Sequence, residues 1–129
     1  MLFRSAYADK SVTVTVNGTT DAPIITGVDT GTAKEDVTLT TTGQLSAVDP
    51  DGDNDLVWSV NNSGQGTYGN LSVDQTGKWT YTLNNGAANV QSLAQGQTVT
   101  ETFIVQSKDD DGPAGTHTVT VTEIGRAHV

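Results

Sequence analysis

The feature that most constrains the fold is the strict alternation of apolar and polar residues in short segments. The segments "KWTYTL" (Lys78 to Leu83) and "HTVTVT" (His117 to Thr122) both place every second side chain on one face. A period of two is the pattern of a β-strand that buries one face, whereas a helix repeats every 3.6 residues. We therefore predict an all-β protein.

Eight segments of strand-forming composition follow one another, separated by turn sequences. Turn sequences such as "DQTG" (Asp74 to Gly77) and "DDDG" (Asp109 to Gly112) recur at a spacing of roughly 8–12 residues, which is typical of a β-sandwich or barrel. The segment 88–98 breaks the alternation, and we expect Leu93 to close the bottom of the sandwich from a short helical turn or arch. The predicted strands are 24–26, 37–41, 43–48, 56–61, 68–73, 78–83, 99–107 and 117–122.

The alternation also predicts which side chains form the core. Trp58 and Trp79 are each in phase with aliphatic neighbours, so we expect them to be core residues. The alternative for two tryptophans in a β-protein is a platform that stacks against sugars. The predicted inward-facing residues are Leu56, Trp58, Val60, Leu71, Trp79, Tyr81, Leu83, Val99, Phe103, Val105, Val119 and Val121.

The excess of acidic residues and the lack of cysteine exclude several classes of protein. Six Lys and Arg residues stand against 15 Asp and Glu residues, for a formal net charge of −9. Binding to nucleic acid is not expected, because phosphates attract Lys and Arg. Membrane insertion is not expected either, since no apolar run is long enough to span a bilayer. Without cysteine there are no disulfides, and zinc is not expected.

Both ends of the sequence are predicted to be foreign to the fold. "MLFRS" (Met1 to Ser5) can be encoded by GTG CTC TTC CGA TCT, and "IGRAHV" (Ile124 to Val129) by ATC GGA AGA GCA CAC GTC. These DNA segments are reverse complements over most of their length, as expected for pieces of one sequencing adapter. We predict that residues 123–129 form an adapter-like tail, with Glu123 only partly so, and we exclude both ends from functional reasoning.

No arrangement of residues predicts catalysis. His117 is the one histidine outside the suspect tail, and the chain has no Gly-x-Ser-x-Gly segment that would expose a nucleophilic serine. Exposed loop carboxylates are ionised rather than suited to proton transfer. We therefore predict that the protein is not an enzyme.

The sequence predicts one complete repeat and a remnant of another. "VTVTVNGTTDAP" (Val12 to Pro23) near the start resembles "HTVTVTE" (His117 to Glu123) near the end. We interpret residues 1–22 as adapter-like residues, the orphan last strand of an upstream repeat (11–16) and a linker. Residues 23–122 are then the complete repeat.

Three longer segments carry a family resemblance: "KEDVTLTTTGQLSAVDPDGD", "YGNLSVDQTGKWTYTLNN" and "LAQGQTVTETFIVQSKDDDG". They resemble the VCBS repeat, a cadherin-like module strung along large bacterial surface and secreted proteins, including adhesins of the RTX type. The resemblance implies a Greek-key, cadherin/immunoglobulin-like β-sandwich of about seven strands. It also implies a secreted or cell-surface location, a mostly structural role and calcium binding.

Calcium would explain a run of alternate aspartates in "AVDPDGDND" (Ala47 to Asp55), which contains no basic residue. The cation takes about 6–8 oxygen ligands, and it would relieve the repulsion between carboxylates that face one point. The run does not fit an EF-hand, because the twelfth position is Val60 instead of a bidentate Glu.

A sandwich of this topology brings three acidic segments to one end: the loop after the second strand, the loop between the last two strands, and the linker. The alternative is that "DPDG" and "DDDG" are only good turn sequences. The predicted calcium ligands are Asp49, Asp51, Asp53, Asp109, Asp111, Asp21 and Asn17.

Glu35 follows the linker-like segment "DTGTAK" (Asp29 to Lys34). Resemblance to cadherins implies a calcium-binding Glu there, at the opposite end. This chain departs from the pattern, because "LAQG" (Leu93 to Gly96) replaces the expected acidic partner. We therefore expect Glu35 to be a solvated edge charge, paired with Lys34 or Lys78.

The leading prediction is a calcium-rigidified structural module whose partners are neighbouring repeats of the same chain. The alternative is a module that itself binds a surface glycan or protein. Such a module should display exposed aromatic residues on a loop, and Tyr68 is the one modest candidate. A hydrolase is the third and least favoured class.

Overall fold

The computed structural model describes residues 10–15, 21–52, 55–110 and 112–127. In these residues eight strands form two four-stranded sheets that pack together as a β-sandwich, which confirms the predicted fold class. One short helix, α1 (Ala88–Gln91), and one 3-10 turn (Asn61–Gly64) interrupt the strands. The strands are β1 (Ile24–Gly27), β2 (Thr30–Lys34), β3 (Thr40–Val48), β4 (Val57–Val60), β5 (Gly69–Val73), β6 (Lys78–Leu83), β7 (Thr98–Lys108) and β8 (Gly115–Ile124).

The first sheet has the order β1-β3-β6-β5 and the second the order β2-β8-β7-β4. Strand neighbours are antiparallel except β2 and β8, which run parallel. No helix in the described ranges is both long and apolar enough to cross a membrane.

The described residues contain eight strands instead of about seven because the first strand divides between the sheets. At Gly27 the backbone has φ +127°, a conformation that favours glycine, and a side chain there would overlap the backbone at Gln44. The chain crosses over at Val28 and Asp29 and continues as β2 in the second sheet. The segment of β2 resembles a linker in sequence, because only Ala33 among its side chains is fully buried.

The next strand also differs from the prediction. Residues 35–37 form a turn in which Asp36 has φ 61°, so β3 begins at Thr40 and continues to Val48 without a break. The predicted interruption near residue 42 is therefore wrong. Gly43 continues the ladder opposite Trp79, and its missing side chain leaves room for the indole ring.

The core confirms the predicted inner faces. Trp79 is fully buried, and its indole Nε1–H donates a hydrogen bond to the carbonyl oxygen of Val28 at 2.8 Å. Trp58 is also buried, so neither tryptophan is a sugar-stacking platform. Leu56, Val60 and Val99 are only partly buried. The buried hydrophobic cluster consists of Ile25, Ala33, Leu45, Trp58, Leu71, Trp79, Tyr81, Leu83, Val90, Phe103, Val105, Val119 and Val121.

The segment between β6 and β7 closes one end of the sandwich, which we name the lower end. Helix α1 buries Val90, and Leu93 after it is buried against Gly125 just beyond β8. Leu93 therefore lies where the broken alternation predicted. Residues 10–15 are exposed and belong to neither sheet. The assignment of that segment to an upstream repeat stays a prediction.

Candidate metal site

Three segments that carry acidic residues meet at the end of the sandwich opposite α1, which we name the upper end. The last residue of β3, Val48, pairs with Ile24 at the start of β1, so the β3–β4 loop emerges beside the incoming linker. A side chain at Gly115, the first residue of β8, would overlap the carbonyl oxygen of Pro23. The β7–β8 loop therefore also ends against this linker, as the topology argument predicted.

Asp49 is the most distinctive of the predicted ligands. It is only 7 % exposed, and its Oδ1 accepts the backbone N–H of Asp51 at 2.8 Å. Its carbonyl oxygen accepts the N–H of Gly52 at 3.0 Å, which closes the "DPDG" turn. The second carboxylate oxygen, Oδ2, is buried and has no hydrogen-bond partner among the described residues. Burying an unpaired carboxylate oxygen is costly, and a bound cation would offset that cost.

Asp51 connects the loop to the linker. Its side chain is exposed, and Oδ2 accepts the backbone N–H of Asp21 at 2.9 Å. This bond joins two residues that are 30 positions apart in the sequence. The side chain of Asp21 is itself exposed, so its carboxylate is accessible at the same end.

Asp109 begins the β7–β8 loop and is 6 % exposed, while the next residue, Asp110, is exposed. Both line a surface pocket of about 310 Å³ on the outer side of β4 and β7. The remaining lining residues are Val57, Ser59, Gln106 and Lys108.

The residues at the upper end fit calcium in chemical type, since carboxylate and carbonyl oxygens are the ligands of a hard cation. Within the described ranges, however, no three His, Cys, Asp or Glu side chains are grouped closely enough to hold a metal. Asn17, Asp53 and Asp111 lie outside the described residues. The full ligand set therefore stays a prediction.

Glu35 differs from the expectation of a solvated edge charge. It is fully buried at the lower end, and its Oε2 accepts the backbone N–H of Arg126 at 3.1 Å. Its own N–H donates to the carbonyl oxygen of Ile124 at 3.0 Å. The turn after β2 brings the carboxylate against the segment that follows β8. The adapter-like origin of residues 123–129 stays a prediction, but Glu123, Ile124 and Gly125 pack as part of this domain and belong to its structure.

Two further acidic residues, the partly buried Glu101 and the buried Glu123, meet at Tyr81 and are not among the predicted site residues. The hydroxyl oxygen of Tyr81 is 2.6 Å from Oε2 of Glu101 and 2.6 Å from Oε1 of Glu123. Burial, together with the neighbouring Glu101, raises the pKa of Glu123 to about 8. Burial and the two carboxyl groups also raise the pKa of Tyr81.

The alternation itself indicates these two acids. Glu101 is two residues before Phe103, and Glu123 is two residues after Val121, so each glutamate continues an inward-facing series. A charged residue in phase with a core stripe is the pattern that would have revealed them.

Tyr68 is not the exposed loop aromatic that a sugar-binding surface would need. Its ring is half-buried and packs against the core cluster, and its backbone N–H donates to Oε2 of Glu101 at 3.1 Å.

Residues 20–125 match the family model of the bacterial cadherin-like domain. This chain belongs to that family. A cadherin-like domain is an extracellular module of the structural or adhesive type, which agrees with the coarse class expected from the sequence.

No curated protein matches the sequence of this cadherin-like domain. A solved structure similar to it is a nucleoside hydrolase-related hypothetical protein from Saccharophagus degradans that is associated with carbohydrate metabolism. The two chains are 15 % identical, with a TM-score of 0.43 over 82 % of this chain. The domain spans 26 % of the length of that protein.

Proposed function

We propose that this cadherin-like domain is a calcium-stiffened spacer of the VCBS type in a large bacterial surface or secreted protein, such as an RTX adhesin. Its partners are the neighbouring repeats of the same chain, and it has no catalytic role. The observation that carries the proposal is the buried Oδ2 of Asp49, which has no hydrogen-bond partner among the described residues.

The geometry around Asp49 favours a cation over a simple turn. A turn needs only one carboxylate oxygen, and Oδ1 already accepts the N–H of Asp51. The second oxygen adds nothing to the turn and would carry an unfavourable desolvation cost. A calcium ion bound at Oδ2, with further oxygens from Asp109 and the flanking loops, would remove that cost.

The bond between Asp21 and Asp51 supports a mechanical role. It fixes the last residues of the linker to the loop that would hold the metal. Calcium bound at this loop would restrict the linker and therefore the angle between one repeat and the next. Without calcium, a linker rich in Gly and Thr, "NGTT" (Asn17 to Thr20), would leave the repeats free to change that angle.

His117 joins two parts of the fold. Its Nε2 lies 2.9 Å from Oδ2 of Asp29, at the point where the first strand changes sheets. The pair therefore ties the β1–β2 corner to β8.

Thermal unfolding with and without calcium tests the proposal. Extracellular modules bind calcium with dissociation constants of about 10⁻⁴–10⁻³ M. Calcium at ten times the dissociation constant would stabilise the native state by about 1.4 kcal/mol. Asp49→Asn keeps an oxygen for the turn but removes the charge, and we expect it to abolish the stabilisation.

The matched control is Asp74→Asn, which alters an exposed aspartate in the β5–β6 turn. This variant should retain the full calcium effect. If calcium leaves the melting temperature unchanged and calorimetry shows no heat of binding, the metal proposal is wrong.

The pocket beside Asp109 and Asp110 favours a second candidate, a module that binds a glycan or protein directly. Its lining combines an amide, an amine and carboxylates, which suit polar ligands. No lining residue is aromatic, so sugar stacking would not contribute. Glycan-array binding that is lost in Gln106→Ala and Lys108→Ala would favour this candidate over the spacer.

A further inference from the structure

A single hydroxyl group joins two carboxyl groups in the interior of this domain. The oxygen of Tyr81 is 2.6 Å from an oxygen of Glu101 and 2.6 Å from an oxygen of Glu123. Both distances are those of short O–H···O hydrogen bonds. A tyrosine hydroxyl has one proton, so it can donate to only one of these oxygens. The other short contact requires a proton on the carboxyl group itself.

The surroundings indicate which carboxyl group carries the proton. Glu101 is partly exposed and accepts the backbone N–H groups of Thr67 at 2.7 Å and Tyr68 at 3.1 Å. Such bonds stabilise a carboxylate. Glu123 is fully buried, and its Oε2 has no hydrogen-bond partner among the described residues. The charged form is therefore disfavoured at Glu123, while Glu101 already has two backbone donors.

We propose that Tyr81, Glu101 and Glu123 form a proton-holding triad that makes the lower end of the domain less stable as pH rises. Glu123 holds a proton and donates it to the oxygen of Tyr81, and Tyr81 donates its own proton to the Glu101 carboxylate. When Glu123 loses its proton, one short hydrogen bond is lost and two carboxylates share one donor in the interior.

The other charged groups near the triad are few. The register partner of Glu123 on β2 is Ala33, which is followed by exposed Lys34 and buried Glu35. Arg126 follows the end of β8, and its side chain is exposed. On β7, the register partner is Val99 and the facing acid is Glu101. The segment 84–97, which includes α1, contains no charged residue, so no cation in it offsets ionisation of Glu123.

The consequence would fall on the end of β8. The N–H of Glu35 donates to the carbonyl oxygen of Ile124 at 3.0 Å, and the N–H of Gly125 donates to that of Gln97 at 2.8 Å. These two bonds involve the two residues that follow Glu123, and they hold the end of β8 to the neighbouring segments. We expect them to loosen when Glu123 ionises.

The direction of the pH effect follows from proton binding. Unfolding returns Glu123 to water, where its pKa has the ordinary value of 4.5, while burial in the folded state raises that pKa to about 8. The unfolded chain therefore binds fewer protons than the folded chain between these values, and stability falls as pH rises through this window. Above the folded value the loss from this residue is complete.

Carbon NMR of the side-chain carboxyl groups tests the triad in the full chain. The sequence has three glutamates, Glu35, Glu101 and Glu123, so only three glutamate carboxyl resonances need to be assigned. We expect one resonance to keep the shift of a neutral acid at pH 6.5 and to titrate near pH 8, and Glu123→Gln to remove it. The amide resonances of Glu35 and Gly125 should follow the same titration. If the resonance that Glu123→Gln removes titrates near the ordinary value of 4.5, the proposal is overturned.

Melting curves as a function of pH, recorded without calcium, give a second measurement. Glu123→Gln should flatten the loss of stability that the unaltered chain shows between pH 5 and 8, because an amide cannot ionise. Asp110→Asn is the matched control, since it removes one exposed carboxylate at the upper end and should leave the slope unchanged. Equal slopes for the unaltered chain and Glu123→Gln would contradict the triad.

Discussion

The backbone N–H of Asp21 donates a hydrogen bond to Oδ2 of Asp51 at 2.9 Å, and this bond fastens the linker to the β3–β4 loop. Asp51 is positioned for it by the turn that Asp49 closes. Asp21 is therefore held to the β3–β4 loop by a hydrogen bond that requires no metal.

The first prediction concerns this bond. Asp51→Ala removes the acceptor, and a hydrogen bond of this kind contributes about 1 kcal/mol. We expect the amide of Asp21 to exchange with solvent about fivefold faster, as measured by hydrogen-exchange NMR. Asp110→Ala, in the neighbouring loop, should leave that rate unchanged. An unchanged rate in Asp51→Ala would mean that the bond does not hold the linker in solution.

The second prediction concerns the core. Trp79→Ala removes the largest fully buried side chain and its hydrogen bond to Val28, and we expect a loss of about 3–5 kcal/mol in the free energy of unfolding. Ile104→Ala is the control, because Ile104 is 42 % exposed and should cost less than about 1 kcal/mol. Urea denaturation measures both. Equal midpoints for the two variants would show that the inner face is wrongly assigned.

The third prediction compares two glycines. A side chain at Gly43 would meet the indole ring of Trp79 at about 2.5 Å, so Gly43→Ala should destabilise by about 1–3 kcal/mol. At Gly86 nothing lies within 4 Å of the added carbon, and Gly86→Ala should be neutral or slightly stabilising. Thermal unfolding of the two variants decides the matter, and similar melting temperatures would contradict the close packing of Gly43 on Trp79.

Much of the fold could be predicted because the alternation of apolar and polar residues indicates which face of each strand is buried. The stripe of Trp79 and Tyr81 on β6 and that of Phe103 and Val105 on β7 are both in the core, as expected. The split of the first strand could not be predicted in this way. It depends on Gly27 fitting closely against the backbone at Gln44, which is a tertiary contact.

The candidate site was only partly predictable. Clustered aspartates indicate a cation, and topology indicates which loops meet, so the upper end could be located from the sequence. The buried state of Asp49 could not, because it depends on how the loops pack. Glu35 was placed in solvent for the same reason, since its burial depends on the segment after β8.

The fourth prediction concerns acid. Hydrogen bonds from the side chain and backbone of Thr76, and from the backbone of Lys78, hold the pKa of Asp74 below its ordinary value of 3.8. The folded chain therefore releases this proton more readily than the unfolded chain, and the stabilisation is present above pH 4 and lost as pH falls below it. Asp74→Ala should lower the melting temperature more at pH 7 than at pH 2. A difference that persists undiminished at pH 2 would refute this account of the turn.

The spacer function is tested by small-angle X-ray scattering from a tandem of two copies of residues 6–127, which keeps all of β8 in each copy, with and without millimolar calcium. We expect calcium to increase the maximum dimension and to sharpen its distribution, because the metal would fix the linker between the copies. The change should disappear in Asp21→Ala at the junction and persist in the control Asp74→Asn. Identical flexible profiles with and without calcium would contradict the spacer function and leave the acidic loops as turns alone.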